Sequence, residues 1–349
     1  MKQHWKKIVG IAVVLALIVG IGIWQKAQNT AHSASTFAMS TVVTQQVYGP
    51  QGEQAIRQVN DALAEFEARL TLFSAQSEIG ELNAAAGQHP VEVSEETFEL
   101  IRYSLELSLS SQRAFQISIA PLTQLWGITT DHPRVPSSDE IAAVLPLIDD
   151  ESIQLDEAAR TIFLPEQGQA IDLGGIAKGN ACDLAARIYE DCGVHSAILN
   201  IGGNVYVRGR APDGDRFRVG FRVPEQGSSA YLASVELEDQ VMAVSGGYER
   251  YFEDEEGNRY HHILSPLTGY PAQSDIVSVG VICTDGTRAD FLSTTLFVWG
   301  EERTRQFMAQ TADVGVILLN TQGELIVSRA LEDSFQLSET GKDYPVIFI

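Results

Sequence analysis

Residues 171–193 read IDLGGIAKGNACDLAARIYEDCG. Asp172, the adjacent Gly174 and Gly175, Lys178 and Gly179 fall within eight positions, where an apolar run gives way to a helical pattern. Ala177, Ala181, Leu184, Ala185 and Ile188 form one apolar helix face, and Gly193 reads as the C′ residue that ends it. Two familiar phosphate loops are excluded. GGIAKG lacks the glycine spacing of G-x-G-x-x-G, and no Gly-Lys-Ser/Thr closes it as a P-loop. What remains is a bare-backbone corner at a helix start, where a ligand can approach the main chain and the first N–H groups can face an anion. A tight turn with a solvated lysine reads the same residues equally well. On the N-terminal side, Ile56, Val59, Leu63, Phe66, Leu70 and Phe73 alternate spacings of three and four and predict a core helix. Ser94 reads as the cap of a second helix, and Ser137 with Glu140 as a capping box for a third. Residues 114–128 (AFQISIAPLTQLWGI) read as a strand that turns at Pro121, and short strands are expected at 153–155 and 161–164.

On the C-terminal side the chain is strand-rich. SAILNIG, NVYVRG, FRVGFRV, ASVEL, VMAVSGG, RYHHIL, IVSVGVIC, VGVILLN and ELIVS read as strands, with one helix over residues 287–298. Helices and strands mix without regular βαβ alternation, so the expected class is α+β.

The 349 residues carry 46 Asp and Glu against 24 Lys and Arg, a formal net charge of −22. That balance argues against nucleic acid, and it requires any anionic small ligand to find a local cation, a metal or aimed N–H groups. Lys2, Lys6 and Lys7 precede a stretch from Ile8 to Trp24 free of charged residues. As a helix it would be about 25 Å long, enough to span a bilayer. Residues 1–26 are therefore expected to be a membrane anchor or signal segment, 27–36 a polar linker, and 37–349 the domain on the exported side. Small residues around Ala31-His32-Ser33 leave cleavage open. Cys182, Cys192 and Cys283 form neither a disulfide framework nor a zinc spacing.

Three further stretches carry candidate chemistry. Gly202-Gly203 joins two strands and reads as a hairpin turn. His261 and His262 are adjacent on a strand, so only one of them can face a given cleft. Asp290 and Thr294 lie four apart on a helix, a carboxylate and a hydroxyl on one face, which as hard oxygen donors suit Mg²⁺, though an N-cap or a solvated face accounts for Asp290 alone about as well.

IDLGGIAKG, ILNIGGNVYVRG, SGGYERYF and HHILSPLTGYP occur in one order between FAMST at 37–41 and DFLSTTLFVWG at 290–300. In this the chain resembles the FAD:protein FMN transferase family, also called the ApbE family. The resemblance implies a bilobal α+β fold with FAD in a cleft between lobes. It also implies Mg²⁺-dependent transfer of FMN from FAD to a threonine or serine hydroxyl of a target protein, through a phosphoester bond. By position, it implies FAD contacts at Met39, Phe73, Trp126, Gly127, Ile128, Asp172, Lys178 and Leu264. It implies a metal site at Gly175, Asp290 and Thr294, and a general base at His262. The implied partners are exported domains of redox or electron-transport proteins, met on the periplasmic side of a bacterial inner membrane. Four positions depart from the pattern: Phe73 for a frequent tyrosine, Gln116 and Ser265 for acidic residues, and Ser293 for a second carboxylate. Two other readings stand beside transfer, an FAD pyrophosphatase releasing FMN and AMP, and a non-catalytic flavin-binding protein.

Overall fold

The computed structural model describes residues 27–349, so the expected anchor over 1–26 lies outside the described residues. Among the described residues no helix is long and apolar enough to cross a membrane. The first strands of the described residues form a hairpin, β1 (Ala31–Ala38) and β2 (Thr41–Tyr48), across most of the expected linker over 27–36. Small polar composition suggested a tether, yet the stretch alternates, and Ala34 and Ala38 on its inner face pack against the main core.

Helix α1 (Gly52–Leu70) buries Ile56, Val59, Leu63, Phe66 and Leu70 as their spacing predicts. Phe73 falls beyond its end and is 72% exposed, so it is not part of that core stripe. Helix α2 (Glu78–Ala84) opens at Ser77, whose hydroxyl accepts from the Gly80 N–H. A short strand β3 (Val91–Glu92) precedes α3 (Glu95–Ser110), which Ser94 caps.

The strand expected near 114–120 is absent. Ile117–Ile119 make a 3₁₀ turn that runs into α4 (Ala120–Trp126), with Pro121 in the first turn, where its missing N–H costs nothing. The capping box at Ser137 and Glu140 opens α5 (Ser138–Val144) as read. Strands β4 (Gln154–Asp156) and β5 (Thr161–Phe163) then join β3 in a small sheet. Helix α6 (Ala177–Asp191) ends at Gly193, whose φ is +68°. The Gly193 N–H bonds to the Glu190 carbonyl and the Val194 N–H to the Tyr189 carbonyl, a Schellman closure.

The second half supplies β6 (Ser196–Ile201), β7 (Asn204–Gly209), β8 (Phe217–Arg222), β9 (Tyr231–Leu237), β10 (Gln240–Gly246), β11 (Tyr251–Glu253), β12 (Arg259–His261) and β13 (Ile276–Cys283). Helices α7 (Gly286–Trp299) and α8 (Glu301–Gln310) follow, then β14 (Gly315–Asn320), β15 (Leu325–Val327), β16 (Phe335–Leu337) and β17 (Val346–Phe348). Nine strands form the main sheet in the order β1-β2-β6-β7-β10-β13-β14-β15-β17, antiparallel throughout except at β15–β17. Its residues alternate between two cores. One faces α1, α6 and α7, and the other lies beneath the sheet β16-β9-β8. A third cluster gathers Leu122, Trp126, Ile141, Ile148 and Leu264. This is the expected α+β class. All three cysteines are free thiols.

Helices α6 and α7 touch through their backbones. A Cβ placed on Gly179 would lie 2.0 Å from the Gly286 carbonyl oxygen, and one on Gly286 would lie 2.4 Å from that of Gly179. Neither obstacle is a flexible side chain, so neither can step aside. Gly179→Ala should therefore cost about 1–3 kcal/mol or more in urea unfolding, the range for overpacking a filled site. A loss below about 0.5 kcal/mol, the level of a neutral surface change, would show that the helices can separate without penalty.

Candidate active site

The corner at 171–179 is fixed from three directions. The Asn83 carboxamide, at the end of α2, donates to the Ile171 carbonyl (3.0 Å) and accepts from the Ile171 N–H (2.7 Å). The Asp172 N–H donates to the Ile117 carbonyl. The Asp172 carboxylate accepts from the Gly174 N–H at 2.8 Å and from the Thr123 hydroxyl of α4 at 3.1 Å. Burial pushes this carboxyl up from its ordinary pKa, against the opposing pull of those two hydrogen bonds. Phe115 backs the loop, since a Cβ on Gly175 would meet its ring edge at 2.8 Å.

Ile176 occupies the N-cap of α6 and supplies no side-chain cap. The Gly179 N–H is instead satisfied by Asp290 Oδ2 of α7 at 2.9 Å, while Lys178 Nζ lies 3.6 Å from Asp290 Oδ1. The sequence pointed to an anion seat at this helix start, and in the protein alone the anion there is Asp290 itself. The arrangement is reciprocal. Asp183 of α6 accepts from the Gly286 N–H (2.7 Å), the Thr287 N–H (2.9 Å) and the Thr287 hydroxyl (2.8 Å) at the start of α7. Each helix carries Gly-x-x-x-Asp, and each aspartate holds the other helix's glycine N–H.

Asp290 is only 2% exposed, but its carboxylate is engaged by a cation and an N–H donor, which offset the cost of burying it. Thr294, one turn on, lies with its hydroxyl 3.4 Å from that of Ser245 on β10. Among the described residues no three His, Cys, Asp or Glu side chains gather around a metal position. One carboxylate, one hydroxyl and a main-chain carbonyl at Gly175 nevertheless fit Mg²⁺, which takes hard oxygens, needs few protein groups and keeps substrate phosphates.

The two histidines diverge as strand alternation requires. His261 sets Nε2 3.1 Å from the Ala272 carbonyl and packs edge-on against Phe297. His262 instead places Nδ1 3.1 Å from the Arg250 carbonyl, which also accepts the His262 N–H. In the neutral ring Nδ1 then carries the proton and Nε2 keeps its lone pair. Burial, chiefly, and then the charge of Arg250 hold this imidazole down at about 3, with a smaller push from Lys178 and the Arg250 hydrogen bond opposing. The Arg250 guanidinium reaches across to the Ser40 carbonyl at 3.2 Å.

Met39 and Ser40 form the turn between β1 and β2, both at positive φ (+53° and +55°). Gly202 and Gly203 turn β6 into β7 as read, and a Cβ on Gly202 would strike the Thr41 side chain, so the two tips adjoin. Trp126 is fully buried, donates from Nε1 to the Gly269 carbonyl at 2.8 Å and packs against Tyr260 and Tyr270. Its side chain offers a ligand no surface, so a contact along 126–128 falls to main chain and to Ile128. Gly127 ends α4 in the left-handed region, and Leu264 is buried in the same cluster as Trp126.

The structure pairs Lys178 with Asp290, sets Thr294 one turn along the same helix beside Ser245, and brings the Lys178 charge to bear on His262. Asp172 and Gly175 stand on the loop that precedes Lys178, and Phe73 lies on an exposed loop. Asn83, Thr123, Asp183, Ser245 and Arg250 were missed. Only Ser245 and Arg250 had a signal, lying inside SGGYERYF. The departures have local accounts. Gln116 is buried, donating to Ser108 and accepting from the Asp150 N–H. Ser293 bonds to Ser245 and to the Asp290 carbonyl. The Ser265 main chain closes the 265–270 turn.

This combination of α+β architecture and corner defines a class with known members. The profile of the ApbE family matches residues 39–318, and the chain belongs to that family. It is 34% identical to an FAD:protein FMN transferase of Klebsiella pneumoniae over 91% of this chain and 98% of the relative. A second FAD:protein FMN transferase, from Treponema pallidum, is 29% identical over 95% of each chain. The crystal structure of an ApbE protein from Thermotoga maritima superposes with a TM-score of 0.77 at 28% identity, covering 90% of this chain and 98% of that one.

Because the folded-state pKa of His262 is depressed, the ring is neutral over the physiological range. Its contribution to stability is fully present above the unfolded value of 6.5 and is lost as pH falls from there toward about 3. NMR titration of the ligand-free protein should find no His262 midpoint between pH 5 and 8. A midpoint near 6.5 would mean the ring is solvated and its Nδ1 contact loose.

Proposed function

We propose that the chain transfers FMN from FAD to a threonine or serine hydroxyl of a target protein. What carries this reading is the neutral His262 ring, its Nδ1 committed to the Arg250 carbonyl and its imidazole within the field of Lys178, which pairs with Asp290. Nε2 of His262 takes the proton of the acceptor hydroxyl. The hydroxyl oxygen then forms a bond to the flavin-side phosphorus, the bridging P–O bond breaks, and AMP departs with the electron pair. The proton on His262 passes to AMP or to solvent. Lys178 sits where charge develops on the pyrophosphate oxygens. Asp290, Thr294 and the Gly175 carbonyl would hold Mg²⁺, which when bound neutralises those oxygens and orients the phosphates. Phe73, exposed on its loop, and Met39, at its strained turn, are suited to covering a planar ring. Residues 1–26 would anchor the chain in the inner membrane, with targets in the periplasm among redox or electron-transport proteins.

Intact mass of an acceptor domain incubated with FAD and Mg²⁺ tests the reading. An increase matching one FMN, absent without Mg²⁺, is expected. Free FMN and AMP without adduct would identify a pyrophosphatase, and unchanged FAD a flavin-binding protein. Asp290→Asn is the sharper metal test than Asp290→Ala, because the amide oxygen can still accept from Gly179. It should abolish Mg²⁺-dependent turnover with little loss of stability, and retained turnover would remove Asp290 from the metal site. His262→Ala should slow transfer about 10²–10⁴-fold with FAD affinity kept. Full activity would exclude it as the base.

A further inference from the structure

Among the described residues, the edge of the main sheet that leads to His262 is unguarded. β1 pairs with β2 over eight residues without a register shift, and among the described residues nothing pairs with its other edge. Proteins usually blunt such an edge with lysine, proline or a bulge, because an open row of N–H and C=O groups recruits other strands. β1 has none of these. Residues 27–52 contain no Asp, Glu, Lys or Arg, in a chain whose net charge is −22. At the tip end of the hairpin Phe37 and Val42 are cross-strand partners, and both are exposed, Phe37 by 73%.

That tip is wired to the base. Met39 and Ser40 take the two left-handed turn positions that ordinarily favour glycine or asparagine, a conformation kept only where the surroundings enforce it. The Arg250 guanidinium holds the turn through the Ser40 carbonyl, and the Arg250 carbonyl holds His262 Nδ1. One residue therefore links the end of the open edge to the proposed base.

We propose that the target protein docks by adding an extended segment along the outer edge of β1. Main-chain hydrogen bonds supply the grip, and Phe37 with Val42 receives an apolar side chain of that segment. Its acceptor hydroxyl then passes the Met39–Ser40 turn to reach Nε2 of His262. The inference rests on the transfer reading above. A second copy of this chain could pair with the same edge, but the link from turn to base gives the edge a use that self-association would not need. With no charge of its own to read, β1 selects for extended conformation and one apolar anchor rather than for a charged sequence.

The test uses the full chain with an acceptor domain. Ser35→Lys combined with Phe37→Lys guards the edge at two exposed positions. Ala34→Pro and Ser35→Pro are made as a pair, since neighbouring N–H groups point to opposite edges and one of the two spares the pairing with β2. The lysine variant, and whichever proline variant keeps its thermal midpoint, should raise the KM for the acceptor domain at least tenfold. kcat and FAD affinity should stay unchanged. Amide exchange over residues 31–38 should slow when acceptor domain is added. An unchanged KM, or exchange that is slow without acceptor because a second copy or residues 1–26 already cover the edge, would overturn the proposal. If the unsubstituted chain forms no flavin adduct at all, the transfer reading itself has failed. Normal transfer by the edge variants refutes the docking mode alone.

Discussion

The reciprocal contact between α6 and α7 is the constraint on which the rest of the site depends. Two helices can approach this closely only where both lack a side chain, and Gly179 and Gly286 supply that pair. Close approach in turn lets Asp183 and Asp290 reach the opposite helix start and satisfy N–H groups that would otherwise be orphaned. Asp290 thereby serves the fold before any ligand arrives. Its carboxylate is aimed, desolvated and partly neutralised by Lys178 at the start of α6.

The electrostatics around this contact differ from those of the chain as a whole. A protein of net charge −22 repels FAD at long range, so affinity must come from charge concentrated locally. Burial does most to keep the His262 ring an acceptor rather than a cation, and the charges of Arg250 and then Lys178 add to it. The cationic side chains therefore do two things here: they offer attraction to phosphate and preserve the base. Trp126 and Leu264 contribute differently, as a packed support under the 126–128 stretch.

Features that depend on local pattern were legible in the sequence. The α1 stripe, the Ser94 cap, the Ser137–Glu140 box, the Gly193 stop and most C-terminal strands follow from periodicity and turn chemistry. Failures came where composition and alternation disagree, or where a residue has two uses. The small polar stretch before Phe37 looked like a tether because its apolar residues are alanines. Pro121 looked like a strand breaker but begins a helix. At the candidate site, family motifs pointed to Asp172, Lys178, His262, Asp290 and Thr294. No local pattern could reveal that Asp183 caps a helix one hundred residues away, that Asn83 clamps Ile171, or that Trp126 turns its ring inward. Those depend on tertiary register alone.

The glycine contact also decides which part of the site can open. Backbone groups sealed between two packed helices, beneath a nine-stranded sheet, are released only when the whole domain unfolds, so the half of the site bearing Lys178 and Asp290 belongs to the most protected cooperative unit. Admitting a substrate as large as a dinucleotide, and later a second protein, must therefore fall to the surrounding loops. The exposed Phe73 segment and the 127–137 connection, which pack few side chains, are the parts free to breathe while the chemical floor stays still.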